Sequence, residues 1–518
     1  MSVFSEFTFL LFSYFSFLVQ AAPHHGRSIN SPYATSSHTI DLKAIPGVSN
    51  PSSRSLHCDR RRSASLANQT APLINLDASF AAPVKISDQS FYLVVDTGSA
   101  DTWVPDVFFT CLYGEIGPWA SPTSQDECAF GTYFDRDNSD LMFNVTPNSN
   151  FYASYADGSG AGGLLGQTSL KLASSLTVPN QQVGVATIAS WKGDNITSGI
   201  LGLAYSPLTS KYPGTNIWDD KQCPFINSSN RYLPSDYKCN QETYPALIET
   251  LFQSSNNSGP QLQEKAFSIA LSRDHSNNFN GGTLTFGGIP ELSLPTVNVS
   301  SPFTTTPVEA LGSSHDKELR FYTLSVDGFL FPPTAPGLYN TTSSTAASQM
   351  RRDFVKSRRS QRSSSSTMDV MHPTTSGGQK AQFILDSGTT LTYIPDALAA
   401  AFNSLFEPPA YQDFHTTGSL WALDCENLSY VPSLGVSIAG EVFYHNPEDL
   451  VYKLKGQEYN YDIDEWVDTQ YCISAVQDYG LSDNGVGILG QPFLKNVIAV
   501  FDIGRSELGL AARPYYHS

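Results

Sequence analysis

Apolar and polar residues alternate over short runs through most of the chain, as from Phe321 to Phe329, and such runs predict strands with one face buried. Two stretches carry helical spacing instead: Tyr244 to Gln253, and Asp396 to Phe406 behind Pro395. Both are expected as surface helices packed against a lobe. Two regions break the pattern. From Pro23 to Arg62 the chain is rich in Ser, His and Pro without periodicity, and it closes on Asp59-Arg60-Arg61-Arg62. From Asn340 to Gly378 it is rich in Ser, Thr and Arg, too poor in apolar residues to order itself, and a disordered insertion is expected there. Near the N-terminus, Phe7 to Val19 is apolar but shorter than the roughly 20 residues a membrane span requires, and small residues flank Gln20, so the segment reads as an export signal ending at Ala21.

Composition narrows the classes. The chain has 518 residues, 30 Lys+Arg against 48 Asp+Glu, and a formal charge of −18. Nucleic acid is a poor partner for such an acidic chain, which lacks the basic face that displaces counterions. Apolar residues at 40% and aromatics at 12% exclude a disordered protein. The length favours two or more lobes. Low charge with many Ser, Thr, Tyr, Gly and Pro favours strands. Sequons at Asn68, Asn144, Asn195, Asn227, Asn256, Asn298, Asn340 and Asn427 agree with export. The polar C-terminus carries no lipid-anchor signal. Cys58 lies in the unpatterned N-terminal segment. Among the other six cysteines, proximity favours Cys111 with Cys128, Cys223 with Cys239 and Cys425 with Cys472. No Cys-x-x-Cys or His cluster suggests a metal, and no cofactor is expected.

The strongest signal is an internal repeat. Leu93-Val94-Val95-Asp96-Thr97-Gly98-Ser99 is matched by Phe383-Ile384-Leu385-Asp386-Ser387-Gly388-Thr389. At nearly equal distances beyond them come Gly199-Ile200-Leu201-Gly202 and Gly487-Ile488-Leu489-Gly490. Two similar lobes follow. In each copy an apolar strand delivers a carboxylate, the glycine permits a tight turn, and a hydroxyl follows that can bond the carboxylate. Symmetric lobes would set Asp96 against Asp386. Two carboxylates in contact cannot both ionise and so share one proton, which equips the pair as base and acid toward a water and a carbonyl.

These motifs resemble the pepsin-like aspartic proteases, over roughly residues 75–518. Asp96 to Val104 is similar to the family's first catalytic motif and Asp386 to Thr390 to its second. Tyr155-Ala156-Asp157-Gly158-Ser159-Gly160 is similar to the flap, with Tyr155 as the flap tyrosine. Phe267 to Ser272, Gly281 to Gly288, Ile488 to Gly490 and Val500 to Asp502 match further family segments. The Asp-Ser-Gly-Thr-Thr and Asp-Gly-Ser forms look more like those of candidapepsins and yapsins than those of mammalian pepsins. Two departures stand out: Ala156 replaces a flap glycine, and Ser87-Asp88-Gln89 replaces a Gly-Thr-Pro turn.

The resemblance implies an all-β bilobal fold with a cleft between the lobes, and an acid-acting endopeptidase with Asp96 and Asp386 as its catalytic pair, of either broad or basic-residue-preferring specificity. Ser99 and Thr389 would donate to the carboxyls, Thr97 and Ser387 would cross-brace the loops, and the Trp103 indole would bond Tyr155. Asp157 would line the pocket for the residue before the cut bond and favour a basic side chain there, or else be a solvated turn residue. The expected organisation is a signal peptide (1–21), a pro-segment (22–62), an N-terminal lobe (63–305) and a C-terminal lobe (306–518) containing the insertion 340–378. Processing at Arg351-Arg352 or Arg358-Arg359 would leave two non-covalent chains of one monomer; an uncut loop is the alternative. The implied partners are peptide substrates and pepstatin-type inhibitors, and the destination is extracellular or vacuolar. A binding protein on the same fold is the competing class, but it would be expected to have lost one carboxylate or its hydroxyl neighbour.

Overall fold

The computed structural model describes residues 31–46, 78–138, 142–173, 176–220, 240–254, 262–272, 280–292, 297–311, 318–331, 369–371, 381–412, 420–460, 465–478 and 486–514. Strands dominate them. One sheet has 15 strands, and three smaller sheets have five, four and four.

The repeat builds the same small topology twice. Strand Gln89–Asp96 runs parallel to Ile200–Gly202, with Asp96 opposite Gly202, and Ile200 also faces Trp103 of the antiparallel strand Trp103–Tyr113. In the second half Gln382–Leu385 runs parallel to Gly487–Leu489, and Ile488 faces Tyr393 of the antiparallel strand Thr392–Ile394. Trp103 and Tyr393 thus hold equivalent places. The strands feeding both motifs are buried, with Leu93, Val95, Phe383 and Leu385 fully covered, which is why they read as apolar runs.

The end of the chain closes the sheet begun by its first half. Ala266–Leu271 pairs with Asn280–Phe286 on one side and Val497–Asp502 on the other, and Glu507–Ala512 and Thr304–Pro307 continue the series. Phe501 stacks on Phe267 at 4.6 Å between centroids and meets Tyr322 edge-on at the same distance, so one aromatic cluster spans both halves. Cys111–Cys128 and Cys425–Cys472 are bonded, with Cα atoms 5.8 and 5.3 Å apart.

Several expectations need correction. The unpatterned segment 22–62 holds a nine-residue strand, His38–Pro46, inside the large sheet between Asn280–Phe286 and Ala78–Ile86. Ile40, Leu42 and Ile45 are its buried residues; with neighbours hydrogen-bonded on both edges, so few apolar side chains suffice. Within the insertion 340–378, Asp369–Met371 is a strand paired with Phe329–Phe331. The run Phe321 to Phe329 is not one strand: Thr323–Ser325 and Gly328–Phe331 belong to different sheets, and the chain turns between them where the Asp327 N–H donates to the Ser437 carbonyl. The helices are shorter than expected, Leu247–Ser254 and Asp396–Asn403. The turn Ser87-Asp88 is a two-residue hairpin with φ of 47° and 71°, left-handed values that the usual hairpin turn requires. The signal segment, Arg60 to Arg62, the proposed Cys223–Cys239 pair and the dibasic sites at 351–359 lie outside the described residues. Among the described residues no helix is long and apolar enough to cross a membrane.

Candidate active site

Asp96 ends its strand and Asp386 directly follows its own, so the repeat delivers both carboxylates to one point. The two carboxyl groups face each other across the glycines of the two motifs, for an added Cβ on Gly388 would meet Asp96 Oδ1 and Asp386 Oδ1 alike. Gly98 and Gly388 explain how they come so close. A Cβ on Gly98 would stand 2.6 Å from Asp386 Oδ2, and one on Gly388 would collide with Asp96 Oδ1. Neither glycine adopts a positive φ. The motif therefore needs glycine not for its turn, as the sequence suggested, but because the opposite carboxylate occupies the place of a side chain.

Each carboxylate has the same support. Asp96 Oδ1 accepts the Gly98 N–H at 2.8 Å and Oδ2 accepts the Ser99 hydroxyl. Asp386 Oδ1 accepts the Gly388 N–H at 2.8 Å and Oδ2 the Thr389 hydroxyl at 2.5 Å. Beneath them Thr97 and Ser387 interlock, each bonding the other's loop through amide and hydroxyl. Asp96 is only 6% exposed. Burial first, and the charge of Asp386 second, push its carboxyl up to about 8, against the opposing pull of its bonds from Ser99 and Gly98.

The segment expected as the flap is a hairpin, Asn144–Ser154 paired with Gly160–Ala173, whose turn is joined to the first motif through Trp103. Tyr155 sits at its turn, where its N–H donates to the Ser159 carbonyl at 2.9 Å and its hydroxyl accepts the Trp103 indole N–H at 2.8 Å. Burial drives the Tyr155 hydroxyl well above the ordinary tyrosine range, so it stays protonated. Asp157 is exposed at the turn, and its Oδ1 accepts the Ser159 N–H at 2.9 Å and hydroxyl at 2.6 Å.

The eukaryotic aspartyl protease family model matches residues 79–310 and 343–513. The chain belongs to the eukaryotic aspartyl proteases. A probable aspartic-type endopeptidase of Aspergillus fumigatus is 32% identical over 84% of this chain and 78% of its own length. Mouse gastricsin is 22% identical over 85% of this chain and 82% of its own, and yapsin-3 of Saccharomyces cerevisiae 24% identical over 82% of this chain and 64% of its own. A solved aspartic proteinase from Irpex lacteus superposes with a TM-score of 0.49 at 19% identity, covering 92% of this chain and 98% of that one.

Two parts of the protease escaped the sequence reading. Glu115 is exposed on the loop beside the flap, and its side chain lies against Gly158, whose added Cβ would stand 2.8 Å from Glu115 Cγ. Asp101, inside the first motif, is buried and accepts the Tyr244 hydroxyl at 2.6 Å and the Ser210 N–H at 2.9 Å. Asp101 was visible in the motif, but no local signal marked a partner so distant in sequence.

Proposed function

We propose that this endopeptidase, exported or vacuolar, hydrolyses peptide substrates at acidic pH, with a water held between Asp96 and Asp386 as nucleophile. The observation that carries the reading is the pair of facing carboxylates with matching donors on each side. The ionised member takes a proton from the water as its oxygen attacks the peptide carbonyl carbon. The protonated member gives its proton to the carbonyl oxygen, and a tetrahedral diol forms. Collapse of the diol breaks the C–N bond: the nitrogen leaves with the proton the first carboxylate collected, and one diol hydroxyl returns its proton to the second carboxylate, so a carboxylic acid and an amine are released and the pair again holds one proton. The raised affinity of Asp96 for its proton supports Asp96 as the member that carries the proton.

Export is supported by the N-terminal apolar segment and by the exposure of Asn144, Asn195, Asn298 and Asn427, the four sequons among the described residues. A preference for basic residues is supported by two exposed carboxylates, Asp157 at the flap turn and Glu115 on the loop beside it, which would attract a cationic side chain entering there. Maturation after Arg62 is part of the same reading. The test is cleavage of a peptide library at acid pH, with and without pepstatin, followed by sequencing of the cut sites. Pepstatin-blocked cutting enriched beside Lys or Arg is expected. Pepstatin-resistant cutting would refute the mechanism, and cutting indifferent to basic residues would refute the preference alone.

A further inference from the structure

The flap tip is tied at two points. One is the Trp103–Tyr155 hydrogen bond. The other lies on residues 114–120, which join strand Trp103–Tyr113 to Ser121–Thr123: the Ile116 N–H donates to the Gly158 carbonyl at 3.0 Å. That loop is itself held from three directions. The Tyr152 hydroxyl donates to the Ile116 carbonyl at 2.9 Å, and the Ser190 hydroxyl donates to the Gly114 carbonyl. Its base is closed by the pairing of Tyr113 with Ser121 and by the Cys111–Cys128 bond. The Ile116 side chain is buried with Leu112, Tyr152 and Tyr212. The fit leaves no slack, since a Cβ on Gly160 would stand 2.7 Å from Ile116 Cγ2. A hairpin satisfies its own ladder and needs no such outside contact at its tip.

We propose that Ile116 is a positioning residue for the flap: its N–H fastens the tip to the loop 114–120, so that loop and flap form one unit preset over Asp96 and Asp386 before substrate arrives. This rests on the reading of those two aspartates as the working pair, because a flap over an idle pair would position nothing. A loose flap must be ordered as substrate binds, and apparent affinity then falls by the fraction of time the flap spends out of place. Once substrate is bound, the complex is the same. Loosening the loop therefore raises KM and leaves kcat nearly unchanged.

The test loosens the loop without altering Ile116, the flap turn at residues 155–159 or the carboxylates; Tyr152 stands on the flap strand below that turn, and Ser190 lies outside the flap. In the full-length enzyme, Tyr152→Phe combined with Ser190→Ala removes both hydroxyls that hold the loop. Hydrogen exchange of the substrate-free protein and kinetics on a quenched fluorescent peptide cut by the unaltered enzyme are compared. Amides of residues 155–159 should exchange on the order of ten-fold faster, and KM should rise on the order of five-fold, as expected for lost net hydrogen bonds, with kcat within about two-fold. Ser190→Thr, which keeps the hydroxyl, should behave as the unaltered enzyme. Tyr152→Phe alone, expected to show a smaller change of the same kind, serves if the double variant does not fold. Unchanged flap exchange and KM overturn the proposal, as does a fall in kcat at constant KM. Exchange is read without turnover, so an inactive enzyme would count against the carboxylate pair and not against the flap tie.

Discussion

The hydroxyl of Thr97 accepts the amide N–H of Ser387 at 2.9 Å, and the hydroxyl of Ser387 accepts the amide N–H of Thr97 at 3.1 Å. Each hydroxyl then donates to the strand that feeds the other motif, Thr97 to the Leu385 carbonyl at 2.9 Å and Ser387 to the Val95 carbonyl at 2.8 Å. Both residues are buried. The two halves of the site are thus locked by four bonds that neither half can make alone, which fixes the separation of the carboxylates above.

Thr97→Val keeps the shape of the side chain and removes the hydroxyl, leaving a buried N–H and a buried carbonyl without partners. A loss of about 2–4 kcal/mol in unfolding free energy is expected, with activity falling as the carboxylates lose register. Thr97→Ser, which keeps the hydroxyl, should cost less. Denaturant unfolding of the three proteins decides it; a Thr97→Val protein as stable as the original would show that the brace contributes nothing.

Asp96→Asn and Asp386→Asn should each abolish hydrolysis and preserve the fold, since neither leaves a pair that can act as both base and acid. Stability supplies an independent reading. Burial and Asp386 raise the Asp96 carboxyl from the ordinary range to about 8. The folded state therefore holds a proton that the unfolded chain has released, and the stability of the original enzyme falls as pH rises from near 4 toward 8. Asn at this position carries no such dependence. Melting temperatures of the two proteins should lie close together at pH 3–4 and separate, with Asp96→Asn higher, as pH approaches 8. A gap that shrank over this range would contradict the assigned direction.

Trp103→Phe deletes the indole N–H that the Tyr155 hydroxyl accepts at 2.8 Å. The phenol is then left to find another partner under the flap, and kcat/KM should fall on the order of ten-fold. Tyr155→Phe removes the other end of the same bond. If the bond is what matters, the double variant should be little worse than either single one. Losses that multiply would mean the two side chains act independently.

The repeat made the carboxylate pair, its hydroxyl donors, the brace and the flap tyrosine legible, because each is written in residues next to the motif that uses it. What stayed hidden depends on contacts between distant segments. Nothing near Glu115 or Ile116 marks them as neighbours of Gly158; only the fold brings them together. The strand His38–Pro46 was masked by Ser, His and Pro around it, and it holds its place through neighbours far along the chain, Asn280–Phe286 and Ala78–Ile86. The glycines of the two motifs were recognised for the wrong reason: a sequence can suggest a turn, but not that another lobe's carboxylate fills the space of the missing side chain.

The Ser- and Arg-rich stretch before the second motif leads to the last prediction, that the enzyme is cut at or near Arg351-Arg352 or Arg358-Arg359 and remains whole. Four cysteines are used in the bonds Cys111–Cys128 and Cys425–Cys472, neither of which crosses the cut. The other three, Cys58, Cys223 and Cys239, all precede it, so no internal disulfide can join the two chains. Strand pairing can. Ala266–Leu271 bonds Val497–Asp502, Thr304–Pro307 bonds Glu507–Ala512, and Thr323–Ser325 bonds Gln382–Leu385, each joining residues from opposite sides of the cut. Asp369–Met371, just beyond the cut, stays paired with Phe329–Phe331 just before it. Size-exclusion chromatography should therefore give one species carrying both carboxylates, and a denaturing gel without reductant should give two bands. A single band of full mature length from active enzyme would rule the cleavage out, and two species on the column would show that the pairing across the cut is too weak to hold the enzyme together.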